Sequence, residues 1–80
     1  MRLTMSREDK LLILFESIHK VMLAERLIVK IYKPYQIIPV PKQYSSECGM
    51  CIEIISSDKD EIVAELQRNE INFNIVKRGL

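Results

Sequence analysis

The residues best suited to covalent chemistry in this 80-residue chain are two cysteines, Cys48 and Cys51. Cys48 stands beside Gly49 in a short polar stretch between two apolar runs, whereas a structural cysteine usually lies within an apolar run. A thiolate is the nucleophilic form of cysteine, and a soluble protein seldom carries an exposed thiol without a use for it. We therefore expect Cys48 to be a reactive nucleophile. Gly49 would allow a positive backbone φ or the close approach of a partner.

Other polar residues of this stretch could assist the thiol. Ser46 can donate a hydrogen bond to a bound anion or to a terminal sulfur atom. Lys42 flanks the loop and could attract an anionic substrate, although a single lysine on a hairpin is usually an ordinary surface residue. Cys51 begins an alternating apolar segment, so we expect it to be a packed side chain, with a resolving disulfide to Cys48 as the alternative role.

The two cysteines form a C-x-x-C, a spacing found in thioredoxin-like redox sites and in zinc sites. Redox motifs of this kind normally open a helix, whereas this one leads into a predicted strand. A closed zinc site needs four ligands, and His19 is the only obvious third. We therefore expect no metal and no bound cofactor.

The composition limits the classes of function. Hydrophobic residues make up 48% of the chain and charged residues 29%, which is typical of a folded protein. The formal net charge of +1 leaves no positive excess to neutralise phosphates, so we expect no nucleic-acid partner. No apolar stretch approaches the ~20 residues of a membrane span, and no secretory signal is apparent. These features predict a cytoplasmic protein with reduced thiols and no membrane association.

Apolar periodicity predicts one domain over residues 10–80, preceded by a flexible lead-in at residues 1–9. Its six elements follow the order β-α-β-β-α-β. The predicted strands are at 10–16, 35–40, 51–55 and 71–75, and the predicted helices at 18–32 and about 58–69. This order and length predict an α+β fold, a ferredoxin-like sandwich with two helices on one face of a four-stranded antiparallel sheet. Pro39 and Pro41 restrict the second strand to an edge, because proline cannot donate a ladder hydrogen bond.

This topology brings two chemically useful side chains to one end of the domain. The hairpin that carries Cys48 lies at the end where the first helix begins, and His19 is in the first turn of that helix. His19 and the first-turn amide groups could stabilise the Cys48 thiolate, although His19 could equally face solvent. The segment from Leu11 to Phe15 is apolar on both faces. It therefore predicts a homodimer in which a second copy covers the open face of the sheet.

Four segments carry a resemblance to a known family. They are Phe15 to His19, Ala24-Glu25, Ile38 to Pro41 and Ser46 to Gly49. Over most of the chain from Lys10 to Lys77 they resemble the small proteins described as putative selenium/sulfur carrier protein-like. The resemblance implies that the Cys-Gly cysteine, Cys48 here, holds sulfur or selenium as a persulfide or selenosulfide. It also implies donor and acceptor proteins as partners.

The chain departs from that family's pattern at three positions. Lys42 stands where the family often has arginine, Glu47 separates the serine from the cysteine, and Cys51 is an additional thiol. The leading hypothesis is thus a carrier in which Cys48 accepts and passes on the chalcogen. A ligand-binding or partner-binding module is the alternative, and a dithiol redox protein using both cysteines is a third. A carrier or binding role is favoured over a stand-alone enzyme.

Overall fold

The computed structural model of the protein describes residues 9–44 and 48–78. These residues form the predicted order of elements, which confirms the α+β class. The strands and helices are β1 (Lys10–Leu14), α1 (Ile18–Lys30), β2 (Gln36–Pro39), β3 (Met50–Ile55), α2 (Lys59–Arg68) and β4 (Asn74–Lys77). The first eight residues of the predicted lead-in lie outside the described residues. Its last residue, Asp9, accepts a backbone hydrogen bond from Ser56.

The four strands form one antiparallel sheet in the order β2-β3-β1-β4, consistent with a ferredoxin-like arrangement. The apolar strand β1 is in the interior and the proline-containing strand β2 is at an edge, as the sequence predicted. In the register, Ile54 pairs with Leu11 and Ile52 with Ile13. Strand β3 therefore directs these isoleucines to one face of the sheet, and Cys51 and Glu53 to the other.

The hydrophobic core lies between the helices and one face of the sheet. Helix α1 contributes Val21, Ala24 and Ile28, and helix α2 contributes Ile62 and Leu66. These side chains pack against strand and connecting residues of the same cluster, namely Leu11, Ile13, Phe15, Ile52, Ile54 and Ile71. Both helices therefore share one face of the sheet. Neither is long and apolar enough to cross a membrane.

Helix α1 has a defined cap at each end. Ser17 is the N-cap, and its hydroxyl accepts a hydrogen bond of 3.3 Å from the amide of Lys20. The helix ends at Lys30, earlier than the predicted Tyr32. There the Tyr32 amide donates to Val29 and the Lys33 amide to Ile28, the Schellman pattern, with Tyr32 at φ 60°.

Helix α2 ends in the same way, and this moves the last strand. Glu70 has φ 59°, and the amide of Ile71 donates to the carbonyl of Leu66. Ile71 is therefore the buried final residue of the helix cap and not part of a strand. Strand β4 consequently starts at Asn74, three residues later than the sequence indicated. At the other end of α2, Asp58 is the N-cap residue, but its side chain makes no capping hydrogen bond. Its carboxylate lies 3.7 Å from the Lys33 ammonium instead.

Residues 40–44, the first part of the β2–β3 connection, cross the sheet face that the helices leave open. The connection leaves the edge strand β2 after Pro39. The hydroxyl of Tyr44 donates a 2.6 Å hydrogen bond to the carbonyl of Lys77, which lies at the far end of the opposite edge strand, β4. Because α1 and α2 occupy one face, this diagonal path runs over the other. On that face, Leu12 and Cys51 are fully buried within one chain. The open apolar surface that led us to expect a homodimer is therefore smaller than the sequence suggested, and the dimer stays a prediction.

Candidate functional site

Cys48 lies in the β2–β3 connection, at the end of the sheet where β1 ends and α1 begins. The connection is closed at its base by a 3.0 Å hydrogen bond from the Val40 amide to the Gly49 carbonyl. Gly49 has φ 80°, which L side chains rarely adopt, and a Cβ atom placed there would meet no atom within 4 Å. Of the two roles expected for Gly49, the backbone conformation is therefore the one that this geometry requires.

The Cys48 side chain is partly buried and packs against the helix-side core. Its thiol donates a hydrogen bond of 3.2 Å to the carbonyl of Met50. Only the protonated thiol can make this bond, since a thiolate and a carbonyl oxygen repel each other. The thiol is thus held near the backbone at rest but remains at the rim of the molecule.

Cys51 has a different environment. It is fully buried on the other face of the sheet, where it pairs with Leu14 of β1 and Ile38 of β2. Burial, and secondarily the charges of Glu53 and Cys48, raises the pKa of the Cys51 thiol. No disulfide joins the two cysteines. Because Cys48 packs toward the helices and Cys51 away from them, a disulfide between them would require one side chain to leave its face.

His19 is the second residue of α1 and is exposed. The topology puts it at the same end of the domain as Cys48. In the same turn, Ser17 engages the amides of Lys20 and Val21. The amides of Ile18 and His19 are the remaining groups of this helix end that could face an anion.

Of the other site residues expected from the sequence, the structure describes Lys42 but not Ser46. Lys42 is exposed in a turn of the β2–β3 connection, in which the Tyr44 amide donates to the carbonyl of Pro41. Ser46 lies outside the described residues, as does Glu47. Among the residues that the structure describes, no group of three or more His, Cys, Asp or Glu side chains could hold a metal ion.

The sequence reasoning missed two tyrosine contacts that join distant parts of the chain. The hydroxyl of Tyr35 donates a 2.5 Å hydrogen bond to the carboxylate of Glu25, which ties α1 to the start of β2. The bond to Glu25, then burial, and then the charge of Glu25 raise the pKa of Tyr35. Tyr44 anchors the connection that carries Cys48. Neither contact has a local sequence signal, because the partners are 10 and 33 residues apart.

The fold and the hairpin thiol define a small α+β domain with one surface-accessible cysteine. A family model described as putative Se/S carrier protein-like matches residues 10–77. The chain therefore belongs to this family, and the match covers the whole sheet and both helices. No curated protein and no solved structure gives a significant match to the chain.

Proposed function

We propose that the protein is a cytoplasmic chalcogen carrier in which Cys48 accepts a sulfur or selenium atom from a donor protein and delivers it to an acceptor protein. The observation that carries this proposal is the contrast between the two thiols in a member of this family. Cys48 is at the rim of the molecule beside an exposed glycine, whereas Cys51 is fully buried. A carrier atom must pass between proteins, so only a thiol near the surface can hold it.

The transfer step is a thiolate exchange. The Cys48 thiolate attacks the outer sulfur of a donor persulfide, so that a bond from Sγ to that sulfur forms and the donor S–S bond breaks. The donor cysteine leaves as a thiolate, and the proton from Cys48 passes to solvent. No net oxidation occurs, because one persulfide is exchanged for another. A selenium atom carried by the donor as a selenosulfide would move in the same way.

The neighbouring residues would have supporting roles. His19 and the amides at the start of α1 would stabilise the Cys48 thiolate. Gly49 keeps the hairpin in the conformation that presents the thiol. Lys42 would attract an anionic donor group, and Ser46 would donate a hydrogen bond to the terminal chalcogen.

Loading of cysteine variants tests the proposal. Reduced wild-type protein, Cys48→Ser and Cys51→Ala would each be treated with glutathione persulfide and examined by intact mass spectrometry. Wild type and Cys51→Ala should gain the mass of one sulfur atom, and Cys48→Ser should gain none. Thermal melts would show that each variant is folded. Full loading of folded Cys48→Ser would overturn the assignment, and so would a wild-type protein that does not load.

A further inference from the structure

The exposed surface of helix α1 has an unusual composition. The large apolar side chains that are exposed among the described residues are Ile18, Met22 and Val29 on α1, and Tyr32 just after it. Ile18, Met22 and Val29 are spaced four and seven residues apart, so they form one row along the helix. Helix α2 shows the contrast, since the side chains it exposes are polar, charged or alanine. The apolar row is therefore a feature of one helix and not of the surface in general.

A basic row lies beside the apolar one. Arg26 and Lys30 are exposed and four residues apart, and Arg26 lies four residues after Met22, so the basic row continues from the apolar one around the helix. The Lys30 ammonium also lies 4.0 Å from the carboxylate of Glu65 on α2, so Arg26 is the main charge that this row offers to a partner. Helix α1 has a single acidic residue, Glu25, and its carboxylate is engaged by Tyr35. We call the two rows together, Ile18, Met22, Val29, Arg26 and Lys30, the outer face of α1.

We propose that the outer face of α1 docks the donor protein, through a surface on that protein with apolar side chains bordered by carboxylates. The inference rests on the proposed carrier function and names the surface that recognises the donor. Charge decides the type of partner, because a second copy of this face would set Arg26 and Lys30 against the same cations. A lipid surface is disfavoured because the apolar row is narrow and lacks tryptophan and phenylalanine. The face begins at Ile18, at the end of the domain that also holds Cys48.

A charge-reversed variant of this face, with a matched control, tests the proposal. Met22→Gln with Arg26→Glu removes one apolar and one basic side chain of the outer face. Lys59→Glu with Ala64→Gln makes the same change of net charge on exposed positions of α2. Each protein would receive sulfur from a cysteine desulfurase charged with cysteine and, in parallel, from glutathione persulfide. Thermal melts would confirm that both variants are folded.

The outer-face variant should accept sulfur from the desulfurase about tenfold more slowly, because contacts and electrostatic attraction are lost. Its loading by glutathione persulfide should equal that of wild type, and the control should match wild type with both donors. Added salt should slow transfer from the desulfurase to wild type more than to the variant.

Several results would overturn the docking site. One is an equal rate of transfer from the desulfurase to wild type and to the outer-face variant. Another is a loss of transfer rate in the control as large as that in the outer-face variant. The third is a wild-type protein that glutathione persulfide loads but the desulfurase does not. If wild type self-associates or binds anionic vesicles and the outer-face variant does not, the face binds a second copy or a lipid surface and not the donor protein. A wild type that neither donor loads would instead show that the carrier function itself is wrong.

Discussion

At the scale of single residues, one buried charge depends on one partner. Glu53 is buried on the sheet face opposite the helices, between Leu12 and Gln36 of the neighbouring strands. The guanidinium of Arg78 lies 2.6 Å from its carboxylate, and the Arg78 side chain is 53% exposed. The two partners are therefore unequal, because the Arg78 side chain is already largely hydrated whereas the Glu53 carboxylate is almost fully buried.

This inequality predicts different costs for the two halves of the pair. Arg78→Gln leaves a buried carboxylate without its cation and should lower the free energy of unfolding by about 1–3 kcal/mol. Glu53→Gln leaves an arginine that water can solvate, so its cost should stay below about 1 kcal/mol. Urea unfolding at neutral pH measures both values. Equal losses, or a larger loss for Glu53→Gln, would contradict this reading.

The Tyr35–Glu25 hydrogen bond gives a pH-dependent prediction. The pKa of Tyr35 is raised above the ordinary value of 10.0, so the folded state favours the protonated phenol. This contribution to stability is therefore complete below pH 10.0 and is lost as the pH rises through the higher pKa of the folded protein. Glu25→Ala should move the pKa of Tyr35 down toward its ordinary value.

The shift can be read from phenolate absorbance, as the difference between each protein and its Tyr35→Phe form. Glu16→Ala serves as the control, because Glu16 is an exposed glutamate just before α1. The titration of Tyr35 should move in Glu25→Ala and stay in place in the control. An unchanged midpoint in Glu25→Ala would mean that the carboxylate does not hold the phenol in solution.

At the scale of elements, the periodic segments were predictable and the helix ends were not. The apolar run of β1, the alternation of β3 and the proline that ends β2 determine which strands are central and which face each side chain takes. The helix ends depend on Tyr32 and Glu70, which adopt positive φ although glycine or asparagine is the usual residue there. The sequence pattern therefore extended α1 too far and started β4 too early.

The positive φ of Tyr32 predicts a stabilising substitution. Tyr32 is 92% exposed, so its side chain has few contacts to lose. Tyr32→Gly should raise the free energy of unfolding by about 1 kcal/mol, because glycine adopts this conformation without steric cost. Tyr32→Ala keeps the strain and should stay within about 0.5 kcal/mol of wild type. Thermal or urea unfolding distinguishes them, and a Tyr32→Gly protein less stable than wild type would contradict the cap assignment.

At the scale of the whole molecule, the β2–β3 connection links the candidate site to the far edge of the sheet. The family resemblance and the position of Cys48 could be read from the sequence. The crossing of the open face could not, because it depends on a hydrogen bond between Tyr44 and Lys77, 33 residues apart. The same connection crosses the face on which Cys51 is buried.

Loosening this connection should expose Cys51. Tyr44→Phe removes a hydrogen bond worth about 1 kcal/mol, so alkylation of Cys51 through local opening should accelerate about fivefold. Tyr32→Phe removes a hydroxyl from an exposed tyrosine and is the control. Alkylation rates at neutral pH, followed by mass spectrometry, test this. Equal Cys51 rates in both variants would show that Tyr44 does not hold the connection in place.

The central claim is that the carried atom resides on Cys48, and the most direct test is its location in wild-type protein. Trypsin releases both cysteines in one peptide, residues 43–59, so fragmentation between Gly49 and Met50 must separate them. After loading with glutathione persulfide and alkylation, the fragment that contains Cys48 should carry the additional sulfur, and the fragment that contains Cys51 should not. Additional sulfur on Cys51, or shared equally between the two, would contradict the account.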